Sequence, residues 1–450
     1  MYNSILQFIE EDIKNIEKDL GKILTSEIDV DHLSETVHDK VLKLGKNLLG
    51  ELYEKLDDLI RESSARKEKW NIDKRNQSKE ILDIMGPIKY KRTGYVDKKT
   101  GEYIYLLDEI LGIQAHQRIS NGAAANIIEE AVDSSYRKGG INASKTTPAS
   151  KQATKRLIHD TQIYMPLEKV KEKKKLEKLY IVADEDHVSA QFWEKKGDLR
   201  EDKRCNKINT IMPKLICLYE DIINESGEKS SNPRYKLIGK RYFTGVYKGE
   251  SGNTKLWQEV SDYIEHVYDT DVLKAVYIAG DGAPWIKTGC EVIENSHFIL
   301  DKFHMMKYIN KSVIHLFDSA DDAKTEIWEA INKADKKALR DVYQKIIDIT
   351  EKESKLEEVK GAYKYLSNNW SGIKIRTTDK EGYWKCCAEG QISHVLSARL
   401  SSRPMGWSTL GCDQMSKFRA FKMNDGKVID LLRYQKEKQK KKKAENMKAL

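Results

Sequence analysis

No stretch of this sequence runs for about 18 apolar residues, so no transmembrane helix and no membrane partner are expected. Residues 1–20 mix acids, bases and apolar side chains and lack the apolar region of a signal peptide, so a cytoplasmic protein is expected. Cysteine is sparse. The six residues at 205, 217, 290, 386, 387 and 412 have neither zinc-knuckle nor zinc-finger spacing, and they read as reduced core thiols. A large charge of one sign is missing as well: 79 Lys and Arg against 71 Asp and Glu give +8, which alone implies no nucleic-acid partner. What is present suffices for globular cores, with 39% hydrophobic residues including 22 Tyr and 8 Trp. A chain of 450 residues is long enough for two to four domains.

The basic charge is unevenly spread. Residues 171–175 are basic, and 436–443 hold six lysines against one acid. Each run reads either as a solvated linker or tail, or as a surface drawn to phosphates.

Residues 1–82 read as helical. Ile9, Ile13, Ile16 and Leu20, then Val41, Leu44, Leu48, Leu52, Leu56 and Leu59, fall on one helix face. That face is buried in a small bundle or against another subunit, which makes the region a candidate for homo-oligomerisation. Residues 83–170 read as a DNA-binding region. Gly86-Pro87 breaks the helix, and 88–96 with 103–107 flank a turn at 97–101. Lys89, Lys91 and Arg92 make the first strand of this hairpin basic. It reads as a ribbon gripping the DNA backbone or as an edge strand guarded by lysines. Helices follow at 123–132 and 150–159. The second has Ser150 as N-cap and carries Lys151, Gln152, Lys155 and Arg156, a pattern resembling a helix-turn-helix reader. The 139–148 stretch between them is long for a tight turn.

From 171 to 302 the pattern is α/β, with strands, a helix marked by Leu256, Val260, Ile264 and Val267, and further strands at 275–279 and 298–300. Residues 303–375 read as an all-helical insertion. Residues 376–429 return to the α/β domain with a helix from 388, and 430–450 read as a basic tail expected to fray.

Three carboxylates stand where chemistry would use them. Asp184 ends the apolar strand 179–183, Asp281 follows the strand 276–280, and Glu389 opens a helix. Side chains at neighbouring strand ends converge. Gathered acids repel unless cations neutralise them, and two Mg²⁺ ions bound by carboxylates assist in-line phosphoryl transfer with water or a DNA 3′-hydroxyl as nucleophile. Each acid alone is weak evidence. Asp184 also reads as a cap or turn residue with Glu185 and Asp186 as rivals, and Asp281 lies in a Gly-Asp-Gly that suits a tight turn.

Several ordered blocks resemble bacterial insertion-sequence transposases of the Lre type, long catalogued as an uncharacterised protein family and related to the Mutator-like superfamily. They are 179–184 with Val188 and Gln191, 279–286, 297–304, and 388–390 through His394, Arg399 and 405–408; 107–113 is a further family-like segment. The resemblance spans about 84–425. It implies a ribonuclease H-like catalytic domain with a helical insertion, preceded by helical and small α+β DNA-binding regions. It also implies Asp184, rather than Asp186, with Asp281 and Glu389 as a metal-binding catalytic set.

Asp301 and His304 would act as auxiliaries, against a reading in which Asp301 caps the helix at Phe303. Arg399 and Trp407 would clamp or stack on DNA, against plain core packing for Trp407. The expected function is a nucleoid-associated DNA transposase. It would use two Mg²⁺ ions, with Mn²⁺ substituting, and act at least as a dimer on terminal inverted repeats and target double-stranded DNA. The rivals are a nuclease of the same fold that does not join, and an inactive DNA-binding regulator.

Overall fold

Helical periodicity in the first 82 residues carries only as far as Lys69. The computed structural model describes residues 2–191, 209–226, 234–378, 388–403 and 405–448. It divides the chain into two units, 1–162 with 427–450, and 163–426.

In the first unit the helix Val30–Glu62 starts where the Asp29 carboxylate accepts from the His32 N–H. It packs on β2 (Gly86–Asp97). Gly50 lets them approach, since a Cβ there would lie 2.6 Å from the Lys89 carbonyl oxygen. Buried Asp57 accepts from the Thr93 N–H at 3.1 Å and the Thr93 hydroxyl at 2.6 Å. Strand β1 (Trp70–Asp83) pairs antiparallel with β2, and β3 (Tyr103–Ile104) pairs on the other side of β2. Residues 70–82 are therefore strand and not helix. The apolar stripe stops at Ile60, and the polar 73–80 segment is held in β1 by pairing with β2, across register shifts between Ile72 and Gln77, which local spacing does not encode.

Three serines, Ser120, Ser135 and Ser150, cap the helices Asn121–Asp133, Tyr136–Ile141 and Lys151–Asp160, each accepting from the N–H three residues on. The stretch read as an over-long turn thus contains part of a third short helix. The basic C-terminal segment forms the helix Val428–Lys448, packed on Asn121–Asp133, with Lys436 Nζ donating to the Leu111 carbonyl at 3.4 Å.

The second unit is built on five strands: β4 (Lys178–Glu185), β7 (Lys214–Tyr219), β10 (Arg241–Gly245), β11 (Ala275–Gly280) and β12 (Ser296–Leu300). Their order is β10-β7-β4-β11-β12, antiparallel from β10 to β4 and parallel from β4 to β12. Two small pairs complete the strands, β5 (Val188–Ser189) with β6 (Thr210–Ile211), and β8 (Asp221–Asn224) with β9 (Tyr235–Ile238).

Because side chains alternate along a strand, one face presents Leu179, Ile181, Ala183, Val276 and Ile278 to Leu256, Trp257, Val260 and Ile264 of the helix Gly249–Val267. The other carries a row of rings across the sheet, Tyr219–Tyr180–Tyr277–His297, with centroids 5.4, 5.8 and 6.0 Å apart. The helices between Lys302 and Thr378 share the first core through Met305, Ile327, Leu339, Val359 and Leu366. The insertion is therefore continuous with the sheet's core and not an appendage to it. Among the described residues no helix is long and apolar enough to cross a membrane. Cys217, Cys290 and Cys412 are free thiols; Cys205, Cys386 and Cys387 lie outside the described residues.

Candidate active site

Strand register brings three aspartates into one row. Parallel pairing sets Ala275 beside Lys178, and Asp281 follows Ala275 by the same six residues as Asp184 follows Lys178. The next ladder sets Val276 beside Ser296, and Asp281 and Asp301 each follow by five. Neighbouring strands lie about 4.8 Å apart, so Asp184, Asp281 and Asp301 fall side by side at the carboxyl ends of three adjacent strands. The Asp301 N–H donates to the Gly280 carbonyl at 2.9 Å, which extends the ladder to this row.

Each aspartate is fixed locally. The Asp184 carboxylate accepts from the Glu185 N–H at 2.8 Å. Asp281 Oδ1 accepts from the Ala283 N–H at 2.8 Å, and its backbone carbonyl accepts from the Tyr365 hydroxyl at 2.6 Å. The residue between, Gly282, has φ +89°, a conformation that L side chains rarely adopt. Asp301 caps the helix Lys302–Val313, accepting from the Phe303 N–H at 3.0 Å, while its second oxygen lies 3.3 Å from His304 Nδ1.

The electrostatics follow from burial. Burial is the main force pushing the Asp184 carboxyl up to about 6; the charges of Asp281 and Glu185 add to the rise, and the Glu185 N–H and His304 oppose it. Glu185 is raised too, by burial first and then by Asp281. His304 is raised, chiefly by its hydrogen bond to Asp301, with Asp184 and Asp281 adding. The row is thus a partly buried, mutually repelling set of acids with the His304 ring beside it.

Glu389 lies in the helix Ala388–Ile392, which packs beside β4, the strand that carries Asp184. Its side chain is outside the described residues. Among the described residues no three His, Cys, Asp or Glu side chains are grouped to hold a metal ion.

Asp186 is occupied elsewhere. It is buried and accepts from the Ser401 hydroxyl at 3.1 and 2.9 Å. Arg399 and Trp407, read as DNA contacts, are interior residues, 5% and 7% exposed. The Arg399 guanidinium lies 4.8 Å from the Trp407 ring centroid, and Trp407 Nε1 donates to the Leu400 carbonyl at 3.0 Å. The Trp407 backbone also bridges to Ser189 and Gln191, at 2.9 and 2.7 Å. These residues fasten the segment after the Glu389 helix to the edge beyond β4, a packing role that polarity alone concealed.

The proposed DNA contacts divide likewise. Lys151, Gln152, Lys155 and Arg156 are all exposed on one face of their helix, opposite buried Thr154 and Ile158. On β2, Lys89 and Lys91 are exposed, Lys89 lying 3.5 Å from Glu80. Arg92 is not a surface base. It forms an ion pair with buried Asp108, and its guanidinium lies 3.5 Å from the centroid of the Tyr105 ring. Tyr365, which reaches Asp281 from the insertion, carried no sequence signal, because it sits in an ordinary amphipathic helix.

The sequence matches the model of the uncharacterised protein family UPF0236 over residues 23–440. Similar chains include two from Caldanaerobacter subterraneus subsp. tengcongensis. UPF0236 protein TTE2489 is 36% identical over 428 residues, covering 95% of this chain and 85% of its own length. UPF0236 protein TTE0402 is 36% identical over 428 residues, covering 95% and 80%. A third from that organism, whose name joins eleven loci beginning with TTE0033, is 35% identical over 428 residues, covering 95% and 84%. Among solved structures, the Drosophila P element transposase strand transfer complex aligns over 73% of this chain and 83% of that chain, at 11% identity and a TM-score of 0.20. The chain belongs to the uncharacterised protein family UPF0236.

Proposed function

We propose that this protein is the DNA transposase of an insertion sequence, with Asp184, Asp281 and Glu389 as its catalytic acids on a ribonuclease H-like domain. The observation that carries the reading is the in-register row Asp184–Asp281–Asp301, with the Glu389 helix beside β4. The sheet order, three antiparallel strands continued by two parallel ones, supports the ribonuclease H-like assignment. One relative's name joins eleven loci of a single organism. One protein name shared by many loci is what an element that copies or moves its own gene leaves behind.

The donor set is all carboxylate oxygen, the chemistry that Mg²⁺ and Mn²⁺ select, and the mutual repulsion of its acids favours a cation. Asp184, Asp281 and Glu389 would hold two Mg²⁺ ions. When bound, such ions stabilise the charge on the attacking and leaving oxygens of an in-line displacement. The chain supplies the rest. Asp301 holds His304 by Nδ1, leaving Nε2 to donate to a phosphate oxygen. The exposed face of Lys151–Asp160 takes the backbone of the terminal inverted repeats, and water or a DNA 3′-hydroxyl serves as nucleophile.

The test is cleavage and joining of duplexes that end in the element's own terminal repeats, with Mg²⁺ and a target plasmid. Wild-type protein should give joined products. Asp184→Asn, Asp281→Asn and Glu389→Gln should each give none while still binding the repeats. Nicks without joining would favour the nuclease. Repeat binding with neither product, in Mg²⁺ and in Mn²⁺, would favour the inactive regulator.

A further inference from the structure

Asp281 sits between two glycines, Gly280 and Gly282, so the chain on either side of it has little conformational preference of its own. Something must hold it if its carboxylate is to stay in the row. Two restraints are local: the ladder bond from the Asp301 N–H to the Gly280 carbonyl, and the Ala283 N–H on its own carboxylate. The third comes from the helical insertion. Tyr365, on the helix Glu353–Asn368, donates its hydroxyl to the Asp281 carbonyl at 2.6 Å.

Tyr365 is itself braced. Its ring stacks on Tyr308 of the helix Lys302–Val313, with centroids 3.8 Å apart and planes 17° from parallel. Asn369 Nδ2 donates to the Tyr365 carbonyl at 3.0 Å. The buried Asn369 amide also fills the space beside Gly282, where an added Cβ would lie 2.4 Å from Asn369 Oδ1. Two insertion helices and the residue that ends one of them therefore converge on one peptide of the Asp281 turn.

We propose that Tyr365 is a positioning residue for Asp281, and that the Tyr308–Tyr365–Asn369 brace is the means by which the insertion sets the geometry of the acid row. This rests on the transposase reading for its catalytic consequence but not for its structural one. The hydroxyl touches no reacting atom. It fixes the peptide from which the carboxylate is aimed, and small misplacements of a catalytic group cost rate steeply.

The decisive variant is Tyr365→Phe in the full chain, which keeps the ring stack and removes only the hydroxyl. In metal-free protein, amide hydrogen exchange in peptides covering 279–286 should speed up at least several-fold, while peptides from β4 and β12 and the melting temperature stay near wild type. In the joining assay the rate should fall by about tenfold to a hundredfold. The Mg²⁺ concentration for half-maximal rate should rise, repeat binding should be unchanged, and excess Mn²⁺ should restore part of the rate. Wild-type exchange at 279–286 overturns the proposal whatever the activity. Faster exchange with a wild-type joining rate and Mg²⁺ midpoint confines the hydroxyl to local structure and overturns the positioning role. If wild-type protein joins no DNA, the transposase reading fails, and the exchange comparison still decides whether Tyr365 holds Asp281.

Discussion

The acids of the second unit and the bases of the first were both read as functional clusters, and the fold treats them in opposite ways. Three aspartates separated by 97 and 20 residues end up side by side, because two parallel ladders share one register. The bases of the 89–92 strand, neighbours in sequence, are dispersed. Lys89 and Lys91 face outward, while Arg92 turns in to pair with Asp108 under Tyr105. A helix handles the same composition differently. Lys151, Gln152, Lys155 and Arg156 recur at spacings that keep them on one face. Clustered charge in sequence is therefore informative on a helix and misleading on a strand, and charges far apart in sequence gather where parallel strands end together.

The largest effect that would sharpen this contrast is on Arg92. If it is an interior ion pair and not a DNA contact, Arg92→Ala leaves Asp108 buried and unpaired and should destabilise the protein by about 3–5 kcal/mol. Lys91→Ala should change stability by no more than about 0.5 kcal/mol. Chemical denaturation of the two variants checks this. A mild Arg92→Ala with a large loss of DNA affinity would return Arg92 to the DNA-binding surface.

Gathering acids has a stability cost, which gives the next effect. The folded Asp184 carboxyl titrates near 6 and the unfolded one near its ordinary value of 3.8, so the folded state holds this proton more tightly. Ionised Asp184 thus opposes folding above about pH 6, and the opposition vanishes as pH falls through 6 toward 4. Asp184→Asn, without metal, should be more stable than wild type by about 2–3 kcal/mol at pH 8, with the gap closing near pH 4. Adding Mg²⁺ should narrow the gap at pH 8 by stabilising only the wild type. Denaturation with EDTA at both pH values measures it. A gap independent of pH would remove burial of the Asp184 charge as its cause.

The helix face should show a smaller, salt-dependent effect. Replacing Lys151, Lys155 and Arg156 together by Gln should leave stability unchanged and lower affinity for duplex ends about tenfold or more. It should also reduce the slope of log affinity against log salt by about 2–3, as expected for three lost phosphate contacts. An unchanged slope would mean that the face does not meet phosphates.

Much of the second unit was legible because buried parallel strands are short apolar runs, and 179–183 and 276–280 are unbroken. The helices between Lys302 and Thr378 were legible from the stripe at Leu339, Val342, Tyr343 and Ile346. The ring row Tyr219–Tyr180–Tyr277–His297 was not, since only pairing register creates it. Strand β1 was hidden because its residues are mostly polar, and its extended form depends on a partner strand. The docked C-terminal helix was hidden behind its lysines, since charge density says nothing about what Val428 and Leu431, both buried, pack against. For Trp407 the core-packing alternative is the one its burial favours, and Arg399 lies beside it in the interior, because a cation over an aromatic ring is as serviceable inside a protein as against a base.

The smallest expected effect concerns Asp186, and it tests the row itself. Asp186 follows Asp184 by two residues, so strand alternation assigns both to the same face and cannot choose between them. The structure separates them by what they touch. Beyond the end of β4 the Asp186 N–H donates to the Pro213 carbonyl at 3.1 Å, and its carboxylate accepts from the Ser401 hydroxyl. It is a clasp between the segment after β4 and the segment that follows the Glu389 helix. Asn at this position keeps an oxygen for Ser401 and loses only the charge, so Asp186→Asn should cost about 1 kcal/mol of stability. It should also join DNA within a few-fold of wild type, where Asp184→Asn joins none. Ser401→Ala should match it in stability, because the two substitutions weaken the same bond from opposite ends, and the double variant should add little to either. A dead Asp186→Asn with an unchanged melting temperature would place Asp186 among the catalytic acids and leave the clasp as a coincidence of geometry.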